Sequence, residues 1–283
     1  GTFRIRLFCV RPAVNLRLCL DKGISTVFFS ATLLPVNYYK DLLTGEPEDY
    51  AVYARSPFDP ERRLLLVGTD VSSRYTRRGE SEYRRMADYI CRTAKSRKGN
   101  YLIFFPSYRM LEEVYALCSD QAGLLCVRQE SGMEEEEREQ FLGRFEEERE
   151  ESMAAFCVLG GIFSEGIDLV SEKLIGALIV GTGLPQVCRE REILKDYFNR
   201  KGMDGFAYAY QYPGMNKVLQ AAGRVIRTDR DRGVILLLDE RFRADCYRKL
   251  FPREWERHGY CRIDSVAGYL TDFWERASRE EPT

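Results

Sequence analysis

A chain of 283 residues with 45% apolar side chains carries enough hydrophobic material for one large or two modest cores, which argues against a disordered protein. Its 43 Lys and Arg against 44 Asp and Glu leave a formal net charge of -1, so any nucleic-acid contact has to come from a local patch rather than a globally basic surface. The nine cysteines are scattered singly with no CxxC pair, a pattern that fits neither a zinc site nor a disulfide framework.

Phe3 to Val10 alternates in the manner of a strand, and Thr26 to Phe29 is a second β-branched and aromatic run, ending at Ser30, Ala31 and Thr32. A short helical segment follows Pro35, and a loop rich in turn formers reaches Ser56, Pro57 and Pro60. Strands are then predicted at Leu64 to Val67, Tyr101 to Phe105, Leu124 to Val127, Ala154 to Leu159, Leu174 to Val180 and Gly233 to Asp239. Helices are predicted at Ser81 to Lys95, Tyr108 to Cys118, Met133 to Phe145, Arg189 to Phe198 and Val266 to Arg276. This alternation implies an α/β fold, a mostly parallel sheet flanked by helices, with ligands bound at the carboxyl ends of the strands.

Phe206, Tyr208, Tyr210 and Tyr212 recur at period two and read as one face of an extended segment. The acidic runs Glu134 to Glu137 and Glu146 to Glu151 read as a solvated helix face and its exit, and His258 has no evident triad partners. With no charged-then-apolar leader and no apolar run of membrane length, the chain is expected to be cytoplasmic, in a bacterial and nucleoid-associated setting, without a membrane partner. Its start within a strand-like pattern suggests a piece of a longer protein.

The most informative stretch is Gln220 to Arg227, within the run Tyr212 to Arg230. As a helix, it would set Gln220, Gly223, Arg224 and Arg227 within an arc of about 100°. Val218, Ala222, Val225 and Ile226 would take the opposite, core-facing side. Two guanidinium groups on one face repel each other unless an anion neutralises them, and a triphosphate would suit.

Two strand ends accompany it. Phe105-Pro106-Ser107-Tyr108 follows one strand, and Gly161 to Asp168, with Ser164, Glu165 and Gly166, follows another. Glycines let backbone amides approach an anion closely. No GxxxxGK[ST] stretch is present in the chain, so nothing in it cradles β- and γ-phosphates in the manner of a P-loop. Asp239 lies on the wrong side of the Gln220 segment for a metal-holding carboxylate and is expected to be a strand-end or cap residue.

In order, Ser30-Ala31-Thr32, FFPSY at Phe104 to Tyr108, GxxxEGxD ending at Asp168 and QxxGRxxR at Gln220 to Arg227 resemble motifs III to VI of superfamily 2 helicases. The finer wording, Ser30 to Leu33, Ser56-Pro57-Phe58 and Asp239-Glu240-Arg241-Phe242, is similar to the XPD/DinG branch of iron-sulfur DNA helicases. The resemblance implies that residues 1–35 are a remnant of a first helicase domain and 36–283 the second RecA-like domain. It implies ATP and Mg²⁺ shared with the missing first domain, an iron-sulfur cluster only in that missing region, and single-stranded DNA as partner.

Arg227 and Arg224 are then expected as arginine fingers and Gln220 as a group orienting the attacking water. Glu165, Gly166, Asp168 and Gly223 are expected at the nucleotide, and Ser107, Tyr108, Arg109, Phe163 and Ser164 at DNA. After Gly183-Leu184-Pro185 the chain departs from the family, with Gln186, Val187 and Cys188 in place of further prolines. Two alternatives stand beside the DNA helicase: an inactive RecA-like nucleic-acid-binding module, and an RNA helicase of the same superfamily.

Overall fold

The computed structural model describes residue 3, residues 5–163 and residues 174–280. The chain divides into two compact units, Gly1–Arg55 with Leu184–Asn216, and Ser56–Gly183 with Lys217–Thr283.

The first unit contains the helices α1 (Pro12–Leu20) and α2 (Val36–Leu43), then α6 (Arg189–Arg200) and the start of α7 (Tyr212–Ala222), which begins in this unit and continues past its boundary. Aromatic rings fill it. Tyr38 meets Tyr39, Tyr208 and Tyr212 with ring centroids 5.1 to 5.3 Å apart, and Tyr208 lies 4.3 Å from Phe198. The Tyr208 hydroxyl donates to Asp41, and the amide of Asn216 donates to the Tyr39 hydroxyl at 2.5 Å.

Two expectations for this unit fail. Phe206 to Tyr212 is not extended: Ala207–Gln211 forms a π-helix that runs into α7. The cause is local, since Asp204 Oδ1 accepts the Ala207 N–H at 2.9 Å and starts the helix, and helical spacing brings Tyr208 and Tyr212 to the same Tyr38 ring. Phe3 to Val10 and Thr26 to Phe29 are not strands either. No described strand lies beside them to complete a ladder, and Phe3, Leu7, Val27 and Phe29 are 80 to 100% exposed.

The second unit is built on seven strands: β1 (Arg63–Gly68), β2 (Asn100–Phe105), β3 (Leu124–Arg128), β4 (Ser152–Val158), β5 (Gly176–Val180), β6 (Gly233–Leu238) and β7 (Gly259–Cys261). Their order is β3-β4-β2-β5-β6-β1-β7, and every pairing is parallel. Between the strands run α3 (Glu80–Ser96), α4 (Tyr108–Cys118) and α5 (Glu135–Gly143), with α8 (Asp245–Arg248) and α9 (Val266–Glu280) near the end.

The strand interiors are apolar because both faces of the sheet are buried, as is usual for parallel strands. Tyr101, Ile103 and Phe105 of β2 join Ala154 and Phe156 of β4 and Leu236 of β6 in one core. That core includes Met86 and Ile90 of α3, Leu111 and Val114 of α4, and Leu270 and Trp274 of α9. Residues of the other parity, Leu102, Phe104, Ala155, Cys157 and Leu237, are buried as well.

The acidic run before α5 makes a capping box. The Glu134 side chain caps the helix and Glu137 Oε2 accepts the Glu134 N–H at 2.8 Å, which satisfies donors that a helix start leaves open. His258 closes a local cluster, with Nδ1 2.8 Å from the Trp255 carbonyl and its ring against Phe251 and Tyr260.

Among the described residues the cysteines form no disulfide. Cys118, Cys157 and Cys261 are buried, whereas Cys9, Cys19, Cys188 and Cys246 are exposed. Burial pushes the Cys157 thiol up, and the Cys126 and Cys261 thiols up to about 12. Among the described residues no helix is long and apolar enough to cross a membrane.

Asp239, at the end of β6, is fully buried and acts as a cap, as expected from its place after the strand. One oxygen accepts from the Arg241 N–H at 3.0 Å and its Nε at 2.8 Å; the other accepts from the Ser73 N–H at 2.9 Å and hydroxyl at 2.8 Å. Burial alone would raise this carboxyl, but Arg241 and the amides outweigh it and hold it below the usual carboxylate range. A depressed native pKa contributes stability that is fully present above the unfolded value of about 3.9 and is lost as pH falls through the native value. Replacing Asp239 by Asn should cost about 2 to 4 kcal/mol, because it leaves the half-buried Arg241 guanidinium without its counter-charge. Urea unfolding of the variant should show this loss at neutral pH, and the gap to wild type should narrow below about pH 4.

Candidate functional site

Because all strands run the same way, their carboxyl ends collect on one edge of the sheet, and two of the predicted segments leave from it, whereas the third, Gln220 to Arg227, leads into the amino end of β6, where Val225 lies against Gly233. Phe105 pairs with Val158, so FFPSY and the glycine turn leave neighbouring strands. The Leu159 N–H continues that ladder by donating to the Phe105 carbonyl at 2.8 Å. On the far side, Gly181 follows β5 at φ +83, and a Cβ there would stand 2.5 Å from the Ser73 hydroxyl. Only glycine fits that close passage.

Gln129, 3% exposed and just past β3, ties two of the segments together. Its Nε2 donates to the Tyr108 hydroxyl at 2.9 Å, its Oε1 accepts the Val158 N–H at 3.0 Å, and its own N–H donates to the Phe156 carbonyl at 2.8 Å. Burial, together with nearby Cys157, pushes the Tyr108 phenol up, and the bond from Gln129 partly offsets this.

The remaining strand-end residues divide by role. Ser107 is the cap of α4, its hydroxyl accepting the Met110 N–H at 3.4 Å, and Arg109 is exposed on the first turn. Phe163 is 2% exposed and stacks on Phe141 with centroids 4.4 Å apart, so its ring belongs to the core and only its backbone is placed to meet a ligand. Ser164, Glu165, Gly166 and Asp168 lie outside the described residues.

The third segment departs from the predicted geometry. The helix α7 ends at Ala222, so Gln220 is helical while Gly223, Arg224 and Arg227 lie in the turn beyond it. The Gly223 N–H still reaches the Leu219 carbonyl at 2.9 Å, but the Arg224 N–H bonds to Ala221 and the Val225 N–H to Ala222, which tightens and closes the helix. The four residues therefore do not form one helical face. The expected core side does form in part: Val218, Ala222 and Val225 are buried and Ile226 is half-buried.

What shapes this turn is Asp231, which sequence reasoning missed. Its buried Oδ2 accepts the N–H groups of Arg227 and Thr228, each at 2.8 Å, so the backbone is pinned while the Arg227 side chain is exposed. An acid four residues past an Arg, in Thr228-Asp229-Arg230-Asp231, is the local signal of such a turn. Gln129 also had a signal, a polar residue directly behind an apolar strand, but no spacing rule identifies its two partners.

Among the described residues no group of three or more His, Cys, Asp or Glu side chains is placed to hold a metal ion. Among the described residues the cysteines are too dispersed to ligate an iron-sulfur cluster.

Residues 90–258, more than half of the chain, match the family described as helicase C-terminal domain. The chain is 26% identical over 260 residues to the ATP-dependent DNA helicase XPD of Sulfolobus acidocaldarius, covering 86% of this chain and 44% of that protein. It is 25% identical over 250 residues to a probable ATP-dependent helicase of Methanocaldococcus jannaschii, covering 82% and 37%. A regulator of telomere elongation helicase 1 homolog of Caenorhabditis briggsae is 25% identical over 296 residues, covering 94% and 30%. The chain thus spans less than half the length of these relatives. A solved structure of apo XPD superposes with a TM-score of 0.68 over 89% of this chain and 51% of that chain at 23% identity. A second XPD helicase structure gives 0.67 over 89% and 45% at 22% identity, and the two share the fold described above.

Replacing Gln129 by Leu leaves the Val158 N–H without its acceptor at a buried strand end. We expect a loss of about 1 to 3 kcal/mol in denaturant unfolding, and a loss below about 0.5 kcal/mol would mean that the bridge carries no weight.

Proposed function

The chain belongs to the helicase C-terminal domain family, and from that premise we infer that it is the second RecA-like motor domain of an ATP-dependent DNA helicase. Residues 1–35 are then the end of a first motor domain, which brings the P-loop and Mg²⁺, and residues 36–283 the second domain. ATP is held by the two motor domains together, so this stretch of chain alone does not turn over. An iron-sulfur cluster, where the parent protein has one, belongs to the first domain.

The observation that carries this reading is the pinned turn behind α7. A transition-state contact works best when its position is fixed before the charge develops, so that no reorganisation is needed at the moment of reaction. Asp231 fixes the backbone at Arg227 through two N–H groups, and the exposed guanidinium is presented from a rigid base. Arg227 and Arg224 neutralise charge developing on the γ-phosphoryl group, a role worth about 10³ to 10⁵ in rate in GTPases. Gln220, on the last turn of the helix, orients the attacking water, and Gly223 lets the chain leave the helix close to the phosphates. Glu165, Gly166 and Asp168 sense the nucleotide.

Single-stranded DNA runs over the ends of β2 and β4. Ser107, Tyr108 and Arg109 meet it from one side, and Ser164 with the backbone of Phe163 from the other. Such contacts hold phosphates without reading sequence.

ATP hydrolysis by the full parent protein, with and without single-stranded DNA, tests this reading in wild type and Arg227→Ala. The variant should lose at least about 10³-fold of DNA-stimulated turnover while remaining folded. Asp231→Ala should lose less, about 10- to 100-fold, because it frees the turn but keeps the guanidinium. Turnover indifferent to Arg227→Ala would remove the finger assignment. A parent protein without any turnover would favour the inactive binding module, and stimulation by RNA but not DNA would favour the RNA helicase.

A further inference from the structure

The first residues of the turn that leaves β4, up to Phe163, carry no charge, and the acids Glu165 and Asp168 that follow add no cation. From Met153 to Phe163 the chain contains no Lys, Arg, Asp or Glu, although the proposed function asks this turn to lie against a polyanion. The chain as a whole offers no basic surplus to compensate. A cation reaches the turn from elsewhere: Lys217 of α7, three residues before Gln220.

Gly160 begins the turn at φ +76, a conformation that L side chains rarely adopt. A Cβ at Gly160 would stand 2.8 Å from Lys217 Cε, 2.9 Å from Cδ and 2.9 Å from Nζ. The end of the lysine stem therefore lies flat on the Gly160 peptide, and the ammonium sits where a side chain of residue 160 would begin. Lysine stems cover apolar or backbone surface in this way while the charged head stays at the polar rim, and the half-buried state of Lys217 agrees. Spacing of i, i+3 puts Lys217 and Gln220 on the same side of α7, so the helix that leads to the arginine turn also reaches the glycine turn.

We propose that Lys217 is a phosphate contact of the nucleic-acid track, a cation delivered across Gly160 onto the end of β4. The inference rests on the functional reading above and names one further residue of the same site. Its physical content is a single ion contact. A lysine that neutralises one backbone phosphate releases about one condensed counterion and contributes to the salt dependence of binding, whereas a stem that merely packs does not.

The test is binding of a fluorescently labelled oligothymidylate to the full parent protein by anisotropy, across salt concentrations from about 50 to about 200 mM. Lys217→Met keeps most of the stem and removes the charge. It should bind more weakly for any sequence, and the slope of log K against log salt should become shallower by about 0.7, the single-strand value for one phosphate. Lys217→Arg should restore the slope. Thermal melting of both variants, with Lys217→Ala as the packing control, separates lost folding from lost contact. An unchanged slope in a folded Lys217→Met protein that still binds the strand would overturn this inference alone. A change confined to nucleotide affinity would assign the phosphate to the nucleotide and overturn the strand contact. A wild-type parent that binds no strand would overturn the functional reading and this inference with it.

Discussion

The parallel ladder is the constraint on which the rest depends. When all seven strands point the same way and both sheet faces are buried, each strand end carries backbone groups that the next strand does not satisfy, with the carboxyl ends along one edge and the amino ends along the other. Leaving such groups buried and unpaired costs as much as a lost hydrogen bond each. A few buried polar side chains meet part of this need. Gln129 serves the ends of β2 and β4, Asp239 the segment after β1 and the exit of β6, and Asp231 the turn behind α7.

These three acceptors share a division of labour. Each fixes backbone, and the groups proposed for chemistry stand beside them rather than being them. Arg227 is exposed next to a turn that Asp231 holds, and Tyr108 is half-buried with its hydroxyl engaged by Gln129. Asp239 shows the same logic in its costliest form, since a fully buried carboxylate is tolerable only because Arg241 and the Ser73 amide and hydroxyl surround it.

The sequence exposed much of this and missed what depends on contacts distant along the chain. The six predicted strands of the sheet are present, since continuous apolar runs have few other uses, and the strand ends carry the motif segments. The seventh, Gly259–Cys261, is three residues long and has no period to detect. The spacing of Gln220 to Arg227 fits 3.6 residues per turn and predicts one helix; the helix stops at Ala222 because Asp231, four residues past Arg227, draws the backbone into a turn. The period-two recurrence of Phe206, Tyr208, Tyr210 and Tyr212 predicts an extended segment. The deciding group is Asp204, whose carboxylate starts the helix from outside the alternating run. Phe163 is expected at DNA from its place in the glycine turn, and only the fold reveals Phe141 beneath its ring. In each case a short-range pattern lost to one hydrogen bond or one ring from beyond the window.

The distribution of thiols has a practical consequence for spectroscopy. Cys118, Cys157 and Cys261 are buried, and for Cys157 and Cys261 burial keeps the thiol protonated at neutral pH, which makes these poor nucleophiles toward maleimides. The exposed thiols are unevenly shared: Cys9, Cys19 and Cys188 belong to the first unit and Cys246 to the second. A thiol-reactive dye added to the unaltered chain would report mainly on the first unit. Removing those three cysteines would leave Cys246 as the exposed handle on the sheet-bearing unit, eight residues beyond the last residue of β6 and close to the edge where the loops converge, without disturbing any buried thiol.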